Sequence, residues 1–165
     1  MEFPQDPDRQ GRRGDPRLRS ADRSARQRDH RPDREGPLSA NAVARSLELV
    51  AERIGDPAPR VYARLFAAFP ETEALFVRDT TGAVRGEMLA VAFQCLLDLD
   101  GGYGASFIAA ERVNHDAFGV DPAIFGQFFP IVRDTCREAV GSEWTPEFDA
   151  AWDAVLARVG ALAPA

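Results

Sequence analysis

One stretch of this chain carries more information about its fold than any other: Val113-Asn114-His115-Asp116-Ala117-Phe118-Gly119-Val120. His115 is one of only two histidines in the sequence, and the other, His30, lies in a segment rich in arginine and aspartate. The pattern predicts that His115 lies near the end of a helix that stops at Gly119. One imidazole can bind one metal ion, but no other His or Cys stands at the spacing of a zinc ligand set. A zinc site formed by the chain alone is therefore excluded.

The composition indicates a single globular domain and does not favour nucleic acid or a membrane as a partner. The 165 residues suffice for one domain, and the hydrophobic content of 45% is normal for a globular core. The 20 basic residues, all arginine, are outnumbered by 26 acidic ones. Nucleic acid is not expected as a partner, because its binding needs a basic surface that releases counterions. No run approaches the ~20 apolar residues that cross a bilayer, so no membrane partner is expected either.

The cysteines and the N-terminal residues indicate the compartment. Cys95 and Cys136 both fall within apolar helical patterns, which predicts two buried, reduced thiols. One pair cannot form a disulfide framework, so a reducing compartment is expected. The first residues are charged and lack an apolar block, which excludes an ordinary secretory signal. We therefore expect a cytoplasmic protein.

Residues 1–38 differ in composition from the rest of the chain. They contain ten arginines and eight acidic residues, and apolar residues are nearly missing. Because such a segment cannot bury enough surface to offset its ordering entropy, we predict a disordered extension over 1–38 and one folded domain over 39–165. The extension is interpreted either as an electrostatic arm that binds a partner or as a segment without function.

The folded domain is predicted to be all-α, because apolar residues recur at helical spacing and no stretch alternates with period two. Three helix starts combine a capping residue with a proline: Asp56-Pro57, Asp121-Pro122 and Thr145-Pro146. Helix ends are predicted at the glycines Gly55, Gly101-Gly102 and Gly141. The break at Phe69-Pro70 predicts a short helix up to Phe76. Together these signals predict seven to eight helices.

The second predicted helix and the corner after it resemble the globin family. The residues are Val61-Tyr62-Ala63-Arg64-Leu65-Phe66, then Phe69-Pro70-Glu71, then Leu75-Phe76. Their spacing is similar to that of the haem domain of bacterial flavohaemoglobins, without a gap.

Two later motifs strengthen this resemblance. His115 to Val120, followed by Pro122, is similar to the proximal histidine of globins and the corner behind it. Trp144-Thr145-Pro146-Glu147, with Ala151-Trp152, is similar to the start of the last globin helix, including that of neuroglobin. The resemblance covers residues 40–162 approximately and implies a globin fold around a haem pocket.

The resemblance implies haem b (iron protoporphyrin IX) as the cofactor, with His115 as the protein ligand of the iron. Haem iron takes one neutral imidazole and keeps its sixth position for a gas. This accounts for the isolation of His115, since the porphyrin would supply four nitrogens. Tyr62 would donate a hydrogen bond from its hydroxyl to the gas.

The resemblance also implies the remaining contacts of the haem. The cofactor-binding residues are expected to be His115, Phe76, Val120, Leu89, Met88, Phe118, Phe125 and Phe128. Phe76 would lie against the porphyrin face. Phe125 stands where flavohaemoglobins have a tyrosine that helps to orient the proximal histidine, and phenylalanine has no hydroxyl for that role.

The distal residue on the long helix that begins near residue 83 depends on the helix register. If Gly86 is the small residue at a helix crossing, Arg85 faces the gas and Leu89 lies one turn deeper. We prefer this register. In the alternative register, Val84 and Met88 take those places. Neither register supplies a distal histidine.

Glu111 lies four residues before His115, on the same helical face. We hypothesise that its carboxylate accepts the second imidazole N–H and raises the donor strength of the ring. The alternative is that Glu111 points to solvent or pairs with an arginine.

The expected function is reversible binding of O₂, and of NO or CO, at a His-ligated haem iron, for oxygen transport or NO detoxification. NO dioxygenase activity would need an external reductase, because the chain ends at Ala165 without a reductase domain. The alternative function is that of a haem-free globin-fold sensor or protein-interaction module. The sequence does not predict the oligomeric state.

Overall fold

The computed structural model describes residues 38–162, which fold into six α-helices and two 3₁₀ helices. The α-helices are α1 (Leu38–Ile54), α2 (Ala58–Ala68), α3 (Ala83–Leu97), α4 (Tyr103–Ala117), α5 (Pro122–Val140) and α6 (Pro146–Leu162). The 3₁₀ helices are Pro70–Phe76 and Gly141–Glu143. These residues contain no strand, which confirms the all-α prediction. The predicted disordered extension lies outside the described residues, except for Leu38.

Local capping sets several of the predicted helix boundaries. Asp56 Oδ1 accepts a hydrogen bond from Ala58 N–H at 2.9 Å, and Asp121 Oδ1 accepts one from Ala123 N–H at 2.8 Å. These bonds satisfy donors at the first turns of α2 and α5 that have no partner within the helix. α1 ends at Ile54, and Gly55 directly after it has a φ of +68°, the left-handed conformation that glycine adopts readily.

The core lies where α1 packs against α5 and α6. Trp152 of α6 is fully buried there, and its Nε1–H donates to Ser46 Oγ of α1 at 3.0 Å. The Ser46 hydroxyl donates in turn to the carbonyl oxygen of Val43 at 2.7 Å. Each polar group of this buried chain therefore has a partner. Cys95 and Cys136 are buried free thiols, as predicted.

α3 and α4 approach each other closely at Gly104. A Cβ atom on Gly104 would lie 2.2 Å from the carbonyl oxygen of Cys95 in α3. Because this distance is far below van der Waals contact, any side chain at position 104 would force the two helices apart. The close contact lies in the first turn of α4, the helix that carries His115 near its other end.

No helix among the described residues has the length and the apolar character needed to cross a membrane.

Replacing Ser46 by alanine should lower the free energy of unfolding by about 1–3 kcal/mol, because the buried indole N–H of Trp152 loses its acceptor. Urea unfolding followed by tryptophan fluorescence measures this loss. Ser106→Ala is the matched control, since Ser106 lies exposed on α4. The control should change the stability by less than about 0.5 kcal/mol. Equal effects of the two substitutions would contradict the role given to Ser46.

Candidate functional site

A cavity of about 280 Å³ lies among α2, the first 3₁₀ helix, α3, α4 and α5. Its volume is just below the range of about 300–1,000 Å³ that is typical of pockets for small molecules and cofactors. Most of its wall is apolar and aromatic. The polar exceptions are Tyr62, Thr72, Glu87, Glu111 and His115. A few polar groups in an apolar wall are typical of a site that binds one small molecule in a defined orientation.

The structure brings most of the predicted site residues to this cavity. Those that line it are His115, Phe76, Val120, Met88, Phe125, Phe128, Tyr62 and Glu111. The three that do not are Leu89, Arg85 and Phe118. Three further residues line the cavity although they were not predicted as site residues: Glu87, Thr72 and Cys95.

The preferred register of α3 differs from the one that the structure has. No atom lies within 4 Å of the position of a Cβ on Gly86, so this glycine is not at a close helix crossing. Leu89 is buried in the core at 2% exposure, and Met88 lines the cavity instead. Val84, the other residue of the alternative register, is 53% exposed. Of the four residues named in the two registers, only Met88 lines the cavity, and it belongs to the alternative register.

Arg85 is held outside the cavity by Asp79. Its Nε donates to Asp79 Oδ2 at 2.9 Å, and its Nη2 donates to the carbonyl oxygen of Asp79 at 3.1 Å. The Asp79 carboxylate also accepts from the backbone N–H groups of Val84 and Arg85, at 3.1 and 3.0 Å. Burial raises the pKa of Asp79, but the hydrogen bonds from these groups and the arginine charge outweigh burial and lower it. Asp79 thus caps α3 and fixes Arg85 at once.

Phe118 lies outside the cavity because α4 ends at Ala117 and the chain turns there. Gly119 adopts a φ of +83°, and the backbone N–H of Val120 donates to the carbonyl oxygen of His115 at 2.9 Å. This turn leaves Phe118 82% exposed and brings Val120 to the cavity wall. Of the two apolar residues beside the helix end, only Val120 is therefore part of the site.

A hydrogen bond from one ring nitrogen fixes the orientation and the tautomer of His115. Its Nδ1 lies 2.7 Å from the carbonyl oxygen of Glu111, one helical turn earlier. A carbonyl oxygen can only accept, so Nδ1 carries the proton in this contact. In the neutral ring, Nε2 is then unprotonated and has a lone pair for a metal ion. The ring also packs on Phe125, with 5.1 Å between the ring centroids.

The hydrogen-bond acceptor for His115 is the backbone carbonyl of Glu111, and the hypothesis that its carboxylate fills this role is wrong. Glu111 Oε2 lies 3.6 Å from His115 Nδ1, which is too long for a hydrogen bond. Glu111 Oε1 accepts from Asn114 Nδ2 at 2.9 Å. The carboxylate is therefore a nearby negative charge and not the group that orients the ring.

Tyr62 presents an unpartnered hydroxyl in the cavity. The side chain is 1% exposed and packs against Phe76, with 5.2 Å between ring centroids, and against Phe66 and Phe128, each at 5.9 Å. Its hydroxyl has no hydrogen-bond partner in the described part of the chain. Burial raises the pKa of Tyr62 far above its ordinary value, with the charge of Arg85 opposing this shift, so the hydroxyl is a neutral donor.

The donor set fits a cofactor that brings most of its own metal ligands. Within residues 38–162, no group of three or more His, Cys, Asp or Glu side chains is placed to hold a bare metal ion. His115 offers a single nitrogen, and the wall around it is apolar. A metal in a large, apolar, multidentate group would match both observations, whereas a bare ion would match neither.

Fold and cavity together define a helical protein built around an apolar pocket with one imidazole. The globin family model matches residues 59–162, from α2 to the end of α6, and the chain belongs to the globin family. The resemblance of the sequence to the globin family is thereby confirmed over residues 59–162. Comparison with curated proteins gave no match, and comparison with solved structures gave none either.

Asp79→Asn should destabilise the protein at neutral pH, because Arg85 and two backbone N–H groups lose the charge that they bind. Since folding lowers the pKa of Asp79, its contribution is complete above the ordinary carboxylate pKa of about 4 and is lost as the pH falls below it. The difference in free energy of unfolding between wild type and variant should therefore shrink in acid. Urea unfolding at a series of pH values measures it.

Asp116→Asn is the matched control, since Asp116 is exposed on α4 and takes no part in the contact with Arg85. Its effect on the free energy of unfolding should be small at every pH. If the effect of Asp79→Asn does not change with pH, the carboxylate does not act through its charge.

Proposed function

We propose that this protein is a haem-binding globin, which holds haem b in the cavity with His115 as its ligand and binds a diatomic gas beside Tyr62. The observation that carries the proposal is the free Nε2 of His115 in a cavity that also contains an unpartnered tyrosine hydroxyl. Bound haem would supply an iron atom that takes up O₂, CO or NO.

The setting of His115 supports its role as the metal ligand. Metal-binding histidines almost always donate their other ring N–H to a carbonyl or a carboxylate, which fixes the tautomer and the ring orientation. Glu111 supplies such a carbonyl at 2.7 Å, and Phe125 packs on the ring. Nε2 is therefore the nitrogen that remains for the metal, before any cofactor enters.

Tyr62 supports the choice of a gas that accepts a hydrogen bond. Its ring is held by Phe66, Phe76 and Phe128, so its hydroxyl has little freedom to reach solvent. A buried polar group without a partner costs about 1–3 kcal/mol, and a ligand that accepts its hydrogen bond removes this cost. The donor should therefore favour O₂ over the less polar CO.

The apolar wall of the cavity supports an apolar occupant. Apolar surface that such an occupant covers is removed from water, which is favourable by about 25 cal/mol per Å². A ligand that binds only the folded state should therefore raise the stability of the fold, as ligand linkage requires.

Haemin titration tests the proposal. The wild-type protein should give a Soret band that shifts on reduction and again with CO, together with a higher unfolding temperature. His115→Gly should lose the band, and added imidazole should restore it by taking the place of the missing ring. This rescue distinguishes loss of a ligand from loss of the fold.

His30→Ala, which removes the only other histidine of the sequence, is the matched control and should bind haemin as the wild type does. A wild-type protein that stays colourless with haemin would defeat the proposal and favour a haem-free globin module. A His115→Gly variant that keeps the wild-type spectrum without imidazole would exclude His115 as the ligand.

Tyr62→Phe should act on the gas and on the haem-free protein in opposite directions. In the loaded protein, O₂ should dissociate about tenfold faster, which corresponds to about 1.4 kcal/mol for one lost hydrogen bond. In the haem-free protein, unfolding should need at least as much urea as in the wild type, because an unpartnered hydroxyl has been removed.

Tyr103→Phe makes the same chemical change at a residue that is 64% exposed and does not line the cavity. It should leave both the O₂ dissociation rate and the stability unchanged. A loss of stability in haem-free Tyr62→Phe, with no change in O₂ dissociation, would mean that the hydroxyl is a structural group.

A further inference from the structure

The opening of the cavity carries two carboxylates, those of Glu87 on α3 and Glu111 on α4. Both residues line the cavity and also reach solvent: Glu87 is exposed, and the side chain of Glu111 is 31% exposed. We call this pair the acidic rim. None of the described residues that line the cavity is an arginine, and the sequence contains no lysine.

No described arginine forms an ion pair with Glu87 or Glu111. Glu87 makes no side-chain hydrogen bond or ion pair with any described residue. Glu111 accepts from the amide of Asn114, which is uncharged. Arg85, two residues before Glu87, binds Asp79 and faces a separate groove. Among the described residues, neither carboxylate of the acidic rim is therefore paired with an arginine.

The proposed cofactor is itself negatively charged at one edge. Haem b has an apolar ring and two propionates, and burying an unpaired carboxylate costs far more than leaving it in water. The ring should therefore enter the cavity while the propionates stay at the opening, next to the acidic rim. Like charges at short range repel each other there, with only partial screening by salt.

We propose that the acidic rim weakens the hold of this globin on haem, so that the apolar cavity and His115 bind the cofactor against an electrostatic penalty. The proposal rests on the proposed function, since it concerns the same site. It makes Glu87 and Glu111 residues that set the rate of haem exchange without contacting the gas. A haem held in this way is exchangeable with other proteins and responds to ionic strength.

The affinity for haemin tests the proposal through removal of one charge at a time. Glu87→Gln should bind haemin about two- to fivefold more tightly than the wild type, which is the usual range for one exposed charge pair. Transfer of haem to an excess of a scavenging apoprotein should slow by a similar factor. The advantage should shrink as the ionic strength rises from about 0.01 M to about 1 M.

Glu52→Gln is the matched control, since it removes the same charge from an exposed position on α1 that does not line the cavity. It should leave the affinity for haemin unchanged. Glu111→Gln should act in the same direction as Glu87→Gln, but it also lies beside His115. The Glu87 variant is therefore the decisive one.

A second ligand isolates the propionates. With the dimethyl ester of iron protoporphyrin IX, whose propionates carry no charge, Glu87→Gln and the wild type should bind equally well. An equal gain with the ester, or no gain with haemin, would overturn the proposal. So would a loss of haemin affinity in Arg85→Gln, because Arg85 would then be a cation that binds the propionates.

Failure of the proposed function and failure of the acidic-rim proposal give different results in these experiments. A wild-type protein that gives no Soret band defeats the haem proposal as a whole. A wild-type protein that binds haemin, with the same affinity in Glu87→Gln, defeats only the role of the acidic rim.

Discussion

The apolar cavity is the constraint that the surrounding helices have to meet. Five elements contribute to its wall, and each must turn apolar side chains towards it while it packs against its neighbours. α5 meets this demand on two faces at once. Phe125 and Phe128 line the cavity, while Val132 and Cys136 are buried in the core, where α5 packs against α1. The buried bond from Trp152 to Ser46 joins α6 to α1. These two helices in turn contact α3, α4 and α5, which line the cavity.

The polar groups at the cavity are prepared to different degrees before any ligand arrives. His115 is fully prepared, because the carbonyl of Glu111 has already selected its tautomer. The hydroxyl of Tyr62 has no hydrogen-bond partner among the described residues, so it can donate to a ligand that enters the cavity. The acidic rim opposes the entry of an anion. The cavity thus offers one imidazole nitrogen to a metal and one O–H donor to a ligand. The two carboxylates at its opening disfavour negative charge there.

Sequence patterns predicted the parts of the structure that depend on near neighbours in the chain. The caps at Asp56 and Asp121 and the stop at Gly55 are encoded within a few residues, and the helices begin and end where these signals stand. The register of α3 was missed because Asp79 caps that helix from beyond the usual position, which fixed Arg85 outside the cavity. The partner of His115 was missed for a different reason: a backbone carbonyl has no letter in a sequence, whereas the carboxylate of the same residue does. The bond between Ser46 and Trp152 spans 106 positions and has no local signal.

Gly104 links the packing of the first turn of α4 to the position of His115 near the other end of the same helix. α4 is pinned at its first turn, where the backbone of Cys95 leaves no room for a side chain, and it carries His115 about 16 Å further along its axis. A small tilt at the pinned end becomes a larger sideways displacement at the imidazole. A side chain at position 104 should therefore displace His115 as well as the first turn of α4. A search for residues that control this cavity would therefore fail if it considered only the residues that touch it.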